Sequence, residues 1–143
     1  MGKSSLIQAG LFPLLREGDH LPLYLRLDHS AASPALADQV KAALTAAYAA
    51  EKADAPAFRQ EETLWEYFHR KDVDIWSAKN RLLTPVLAFD QFEEIFTLGR
   101  ADDACSARSR AFLAELSCLV ENRPPAGVRE KLDRGDLDPG RCV

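Results

Sequence analysis

Thr84-Pro85-Val86-Leu87-Ala88-Phe89-Asp90 is the stretch on which the fold turns. It is an unbroken apolar run closed by a carboxylate. A strand with one wet face alternates apolar and polar residues, whereas one covered on both faces is continuously apolar. This run therefore predicts a strand buried in a parallel sheet. Working outward, Leu21-Pro22-Leu23-Tyr24-Leu25-Arg26-Leu27 reads as a second short strand, with Pro22 admissible only near its start. Helical patterns surround the two. Ser33-Pro34 reads as a helix opening, with Ser33 as N-cap and Pro34 at the first helical position. Leu36, Val40, Leu44 and Tyr48 then share one face of a helix expected to reach about Ala53. A shorter helix is expected over 61–70, burying Leu64, Trp65 and Phe68, and another over about 106–121 through Phe112, Leu116 and Leu119. Near the start, Leu6, Ile7, Gly10, Leu11, Leu14 and Leu15 recur at the steps of a buried helix face, and Pro13 must kink that helix or restart it. Strands alternating with helices indicate an α/β fold, a parallel sheet flanked by helices.

Composition narrows the function classes. The chain has 143 residues, 47% of them hydrophobic, which is too apolar for a disordered chain and long enough for one domain with a sizeable core. Its 18 basic and 22 acidic residues give a net charge of −4, which offers no electrostatic footprint for nucleic acid or an anionic membrane. No apolar run approaches the roughly 18 residues of a membrane span. Cys105, Cys118 and Cys142 show no metal-binding spacing and are an odd number, as expected of a reducing cytoplasm. From Asn122 the character changes: residues 122–143 hold three of the 8 prolines and three of the 7 glycines, with little apolar periodicity. A domain over 1–121 followed by a loose tail over 122–143 is the expected organisation.

Two short segments carry chemistry. Gly2-Lys3-Ser4-Ser5 stands directly in front of the first helix. A phosphate-binding loop needs a flexible glycine, a lysine that reaches the β- and γ-phosphates and a hydroxyl for Mg²⁺. All of these belong at a helix N-terminus, where free N–H groups favour an anion. The complete pattern is G-x-x-x-x-G-K-[ST], and only its last three positions occur here. Alone, the tripeptide reads more simply as a solvated helix start. Asp90 changes the balance, because an apolar strand ending in Asp is what the Walker B position requires of a residue holding the Mg²⁺ shell. Gln91-Phe92-Glu93-Glu94 adds two further carboxylates near the same sheet edge. The two segments, in this order and separated by a strand and two helices, make nucleotide binding the leading reading. Other side chains read as ordinary: His20, His29 and His69 as surface, loop or helix-packing residues, Trp65 and Trp76 as core, Cys118 as packed in its helix and Arg100 as a surface charge.

Gly2 to Arg16 and Thr84 to Gly99 resemble the novel-STAND P-loop NTPases, signal-transduction ATPases with numerous domains. Leu64 to His69 and Phe112 to Pro125 also fit that family, and Asp90-Gln91-Phe92-Glu93-Glu94 is the most specific segment. The resemblance implies that Gly2, Lys3, Ser4 and Ser5 bind ATP phosphates, with Lys3 on the β- and γ-phosphates. It implies Mg²⁺ on Ser4 and Asp90, and Glu93 or Glu94 polarising the attacking water, although both carboxylates read equally well as solvated or loop-holding. It further implies nucleotide-driven switching between two arrangements, slow hydrolysis as a timer, and other domains of a longer protein as partners. The family's strand before the phosphate loop and the first five loop residues are not in this sequence, and the resemblance fades after Pro125. The expectation is thus a partial P-loop NTPase fold lacking its first strand, a fragment that self-associates through an exposed sheet edge and hydrolyses little alone. The other reading is a non-catalytic interaction domain that keeps the scaffold without tight nucleotide binding.

Overall fold

A computed structural model of the chain describes residues 2–98 and 102–141, so Gly99, Arg100 and Cys142 lie outside the described residues. The two expected strands form β1 (His20–Arg26) and β2 (Thr84–Asp90), paired in parallel from His20 opposite Thr84 to Arg26 opposite Asp90. Side chains of a strand alternate between faces. Leu21, Leu23 and Leu25, with Leu87 and Phe89, thus share one face, and Tyr24 and Arg26, with Val86, Ala88 and Asp90, share the other. The first face meets the core, where α3 (Leu36–Ala50) contributes Val40, Leu44 and Tyr48, α4 (Leu64–His69) contributes Leu64 and Phe68, and α6 (Asp103–Val120) contributes Phe112. The fold is α/β, a parallel sheet flanked by helices.

The Thr84 amide donates to the Asp19 carbonyl at 3.0 Å. Backbone groups alternate along a strand, so those of Pro85, Leu87 and Phe89 turn to the outer edge, where a proline without an N–H is tolerated. Among the described residues no strand pairs with that edge. The expectation of a strand covered on both faces is not met: β2 is half-buried from Pro85 to Asp90, and its outer edge is unpaired among the described residues.

The helices differ from expectation at their ends, for local reasons. The N-terminal helix runs as α1 (Gly2–Leu6), a π-helical turn (Ile7–Leu11) and α2 (Phe12–Glu17). Pro13 lacks the N–H that an α-helical bond to Ala9 would use, and the wider turn lies just before it. The expected buried face is largely on the surface, with Leu6 72% and Leu14 65% exposed, and Phe12 is the residue buried. Ser33 is not an N-cap. Its hydroxyl donates to the Asp28 and Ser30 carbonyls inside the preceding loop, and α3 opens behind Ala35 without a side-chain cap. Helix α4 is shorter than the expected 61–70 because Thr63 starts it with a reciprocal capping box to Glu66. Asp102 caps α6 by accepting from the Cys105 amide, which starts that helix at Asp103.

The stretch after Asn122, read as a loose tail, carries α7 (Arg129–Asp133) and packs Val128 and Leu137 onto the indole of Trp65. Lys131 reaches Glu66, and the Arg141 guanidinium bonds the Arg70 carbonyl and Asp74. The apolar anchors there are too few and too far apart to produce a periodic signal. Of the two tryptophans, Trp65 is core, but Trp76 is 39% exposed. His69 is fully buried, stacked on Trp65, with Nδ1 against the Trp65 carbonyl and Nε2 against Asn122. Cys118 packs beside Trp65 as expected.

Candidate functional site

Three elements meet at the carboxyl end of the sheet. Helix α1 supplies Gly2, Lys3, Ser4 and Ser5, with Ser4 half-buried and Lys3 exposed. A Cβ built on Gly2 would meet nothing within 4 Å, so no close backbone approach requires glycine there. Strand β2 ends in Asp90, half-buried. The chain then turns through Gln91 in the left-handed region, φ 50°, and this reversal starts the short helix α5 (Glu94–Thr97) beside the sheet edge. Phe92, tilted against Phe89 at 5.4 Å, and buried Ile95 pin the turn to the core.

Tyr24 brings the two candidate segments together. Its hydroxyl donates to Ser4 Oγ at 2.9 Å. The Asp90 carboxylate acts on the same phenol and holds it above its ordinary pKa, against the opposing pull of Ser4. Ser4 bonds Tyr24, and Asp90 shares the sheet face of Tyr24 two residues further along the register. Sequence reasoning passed Tyr24 over. Its signal was the alternation of β1, which sets Tyr24 on the face of Asp90 in a parallel pair.

Glu93 and Glu94 stand differently. Glu93 is exposed at the N-cap of α5, and Glu94 is half-buried, with its Oε1 3.6 Å from the Arg26 guanidinium. An open cleft of about 700 Å³ lies on this edge, walled by Arg26, Asp28, His29, Glu94, Asp102 and Cys105, but Lys3, Ser4 and Asp90 do not line it. Its carboxylates already have work within the fold. The Ser30 amide bonds Asp28 and the Cys105 amide bonds Asp102, and each keeps its carboxyl below the usual range. Burial pushes the Cys105 thiol up, which leaves it unsuited as a nucleophile.

Among the described residues no group of three or more His, Cys, Asp or Glu side chains could hold a metal by itself. The Ser4 hydroxyl and the Asp90 carboxylate are hard oxygen donors, and Mg²⁺ takes one or two such groups together with water and substrate phosphates. The donor set fits that cation and no all-protein cage.

A family model described as Novel STAND NTPase 1 matches residues 1–129. The chain belongs to that family. The match spans both candidate segments and continues through α6. No curated protein and no solved structure matches the chain significantly. Among the described residues of this family member, no helix is long and apolar enough to cross a membrane.

Proposed function

We propose that the chain is the nucleotide-binding module of a STAND-type signalling NTPase acting in the cytoplasm, with ATP and Mg²⁺ as its ligands. The observation that carries this reading is that Ser4 bonds Tyr24, on the sheet face that also carries Asp90 at the end of β2. Gly2, Lys3, Ser4 and Ser5 open a helical run, where unsatisfied amides and the helix dipole suit a phosphate. Lys3, exposed at that end, is the cation for the β- and γ-phosphates. Ser4 and Asp90 would hold Mg²⁺, which when bound neutralises charge on the phosphate oxygens. Of the two acids after Asp90, Glu94 is engaged by Arg26 and Glu93 is the carboxylate left to orient water. Further domains of a longer protein would read out the nucleotide state. The test is Mg²⁺-dependent binding of a fluorescent ATP analogue, compared with Lys3→Ala and Asp90→Ala.

A second reading, an interaction domain without tight nucleotide binding, is favoured by the outer edge of β2. Outward-facing amides at Leu87 and Phe89 adjoin an apolar groove of about 370 Å³ walled by Phe89, Leu116, Leu119 and Val120. Such an edge is a template for strand addition, and self-association is its simplest expression.

A further inference from the structure

We infer that Arg26 is the residue by which this site tells a nucleoside triphosphate from a diphosphate, its guanidinium exchanging a loose ion pair with Glu94 for the terminal phosphate. The inference rests on the reading of Lys3, Ser4 and Asp90 as a nucleotide site and adds to it a specificity-determining residue outside both motifs.

The strand register sets the position. In the parallel pair Arg26 lies directly opposite Asp90, on the face that also carries Tyr24. Neighbouring strands stand about 4.8 Å apart, so the two backbones are one strand spacing from each other there. Helix α1 reaches the same face, because the Tyr24 hydroxyl donates to Ser4 Oγ at 2.9 Å. Arg26 is the next residue on that face after Tyr24, and it ends β1. A guanidinium thus stands at the carboxyl end of the sheet, beside the strand end that bears Asp90 and close to the helix that bears Lys3 and Ser4.

Arg26 is only loosely held there. Its ion partner among the described residues is Glu94 at 3.6 Å, not its register partner Asp90. That separation is beyond hydrogen-bond distance. The Arg26 side chain is 60% exposed, and an exposed pair of this kind contributes little. A terminal phosphate competes well for such a group. Its oxygens match the planar fork of an arginine two at a time, and charge-assisted bonds of that geometry are the stronger kind. A diphosphate ends one group short and leaves Arg26 with Glu94. Both side chains also wall the open cleft of about 700 Å³, so Glu94 returns to water once it is released.

The experiment is calorimetric titration of ATPγS and of ADP, each with Mg²⁺, into the original chain, Arg26→Gln, Glu94→Gln, the double variant and Asp90→Ala. The original chain should favour the triphosphate. Arg26→Gln should weaken the triphosphate roughly ten- to hundredfold, the range for bonds to a charged group, and leave ADP within about twofold. Glu94→Gln removes the competitor and should tighten the triphosphate roughly 1.5- to 5-fold, as expected for loss of an exposed ion pair. In the double variant that gain should vanish. Arg26 is exposed, so thermal unfolding of Arg26→Gln should match that of the original chain. If Arg26→Gln weakens both nucleotides equally or neither, or if Glu94→Gln does not tighten the triphosphate, the role of Arg26 is overturned while a site that Asp90→Ala abolishes still stands. If the original chain binds neither nucleotide, or binding survives Asp90→Ala, the site and the role of Arg26 fall together.

Discussion

Lys131 Nζ lies 2.5 Å from Glu66 Oε1, a contact that ties the short helix α7 to the capping residue of α4. Glu66 is buried and also accepts from the Thr63 amide. Burial alone would raise its carboxyl. The bonds from Lys131 and Thr63 outweigh that effect and leave the pKa below its ordinary 4.5. A carboxyl lowered on folding contributes stability above its unfolded pKa and loses it as pH falls through the folded value. The stabilisation is therefore present at neutral pH and declines below about 4.5. Lys131→Ala should cost about 1–3 kcal/mol at neutral pH, because it strips a buried carboxylate of a charged partner. It should cost much less near pH 3. Urea unfolding at the two pH values checks the difference, and an equal loss at both would contradict the assignment.

The C-terminal segment should contribute to global stability. Leu137 is buried on Trp65, and its backbone bridges Arg70. Leu137→Ala is expected to cost about 2–5 kcal/mol through lost apolar burial and the cavity left behind. Chemical denaturation followed by tryptophan fluorescence measures it, and a change under about 0.5 kcal/mol, ordinary for surface sites, would mean that the segment is not packed as described.

Arg70 and Glu62 form a buried pair at 3.0 Å, and Asp72 takes the other side of the guanidinium at 2.7 Å. Asp72 and Glu62 hold the Arg70 guanidinium charged against the opposing effect of its burial. Removing one member should hurt more than removing both. Arg70→Met alone is expected to cost about 3–5 kcal/mol, and Arg70→Met with Glu62→Met distinctly less. A double-mutant cycle on unfolding free energies decides this, and additive losses would rule out the coupling.

The edge of β2 makes a prediction about association. Val120 is 81% exposed beside the apolar groove, so Val120→Lys should leave stability within about 0.5 kcal/mol while lowering any concentration-dependent association. Sedimentation velocity across a concentration series is the measurement. A chain that stays monomeric throughout would argue against self-pairing at this edge.

The strands were legible because their signals are local. Two short apolar runs form a parallel pair within one residue of their expected limits, and Leu36, Val40, Leu44 and Tyr48 all face the core as their spacing requires. The misreadings come from context that short windows do not contain. Ser33 has the chemistry of an N-cap but spends its hydroxyl on a loop that Arg108 also clamps from α6. The apolar spacing of Leu6 and Leu14 is helical in either case, and only the tertiary arrangement determines whether that face is covered. Tyr24 reads as one more strand aromatic until the parallel register sets it on the face of Asp90 and the fold brings Ser4 to its hydroxyl. The partners Arg26–Glu94 and Lys131–Glu66 meet only through tertiary packing, which no motif announces.

The most direct test of the account is Mg²⁺-dependent binding of a fluorescent ATP analogue to the purified chain, run beside Lys3→Ala and Asp90→Ala. The account predicts saturable binding that requires Mg²⁺ and is lost in both variants, with unfolding stability close to the original. Absence of binding in the original chain, or binding that survives both substitutions, would contradict the assignment of Lys3, Ser4 and Asp90 as a nucleotide site.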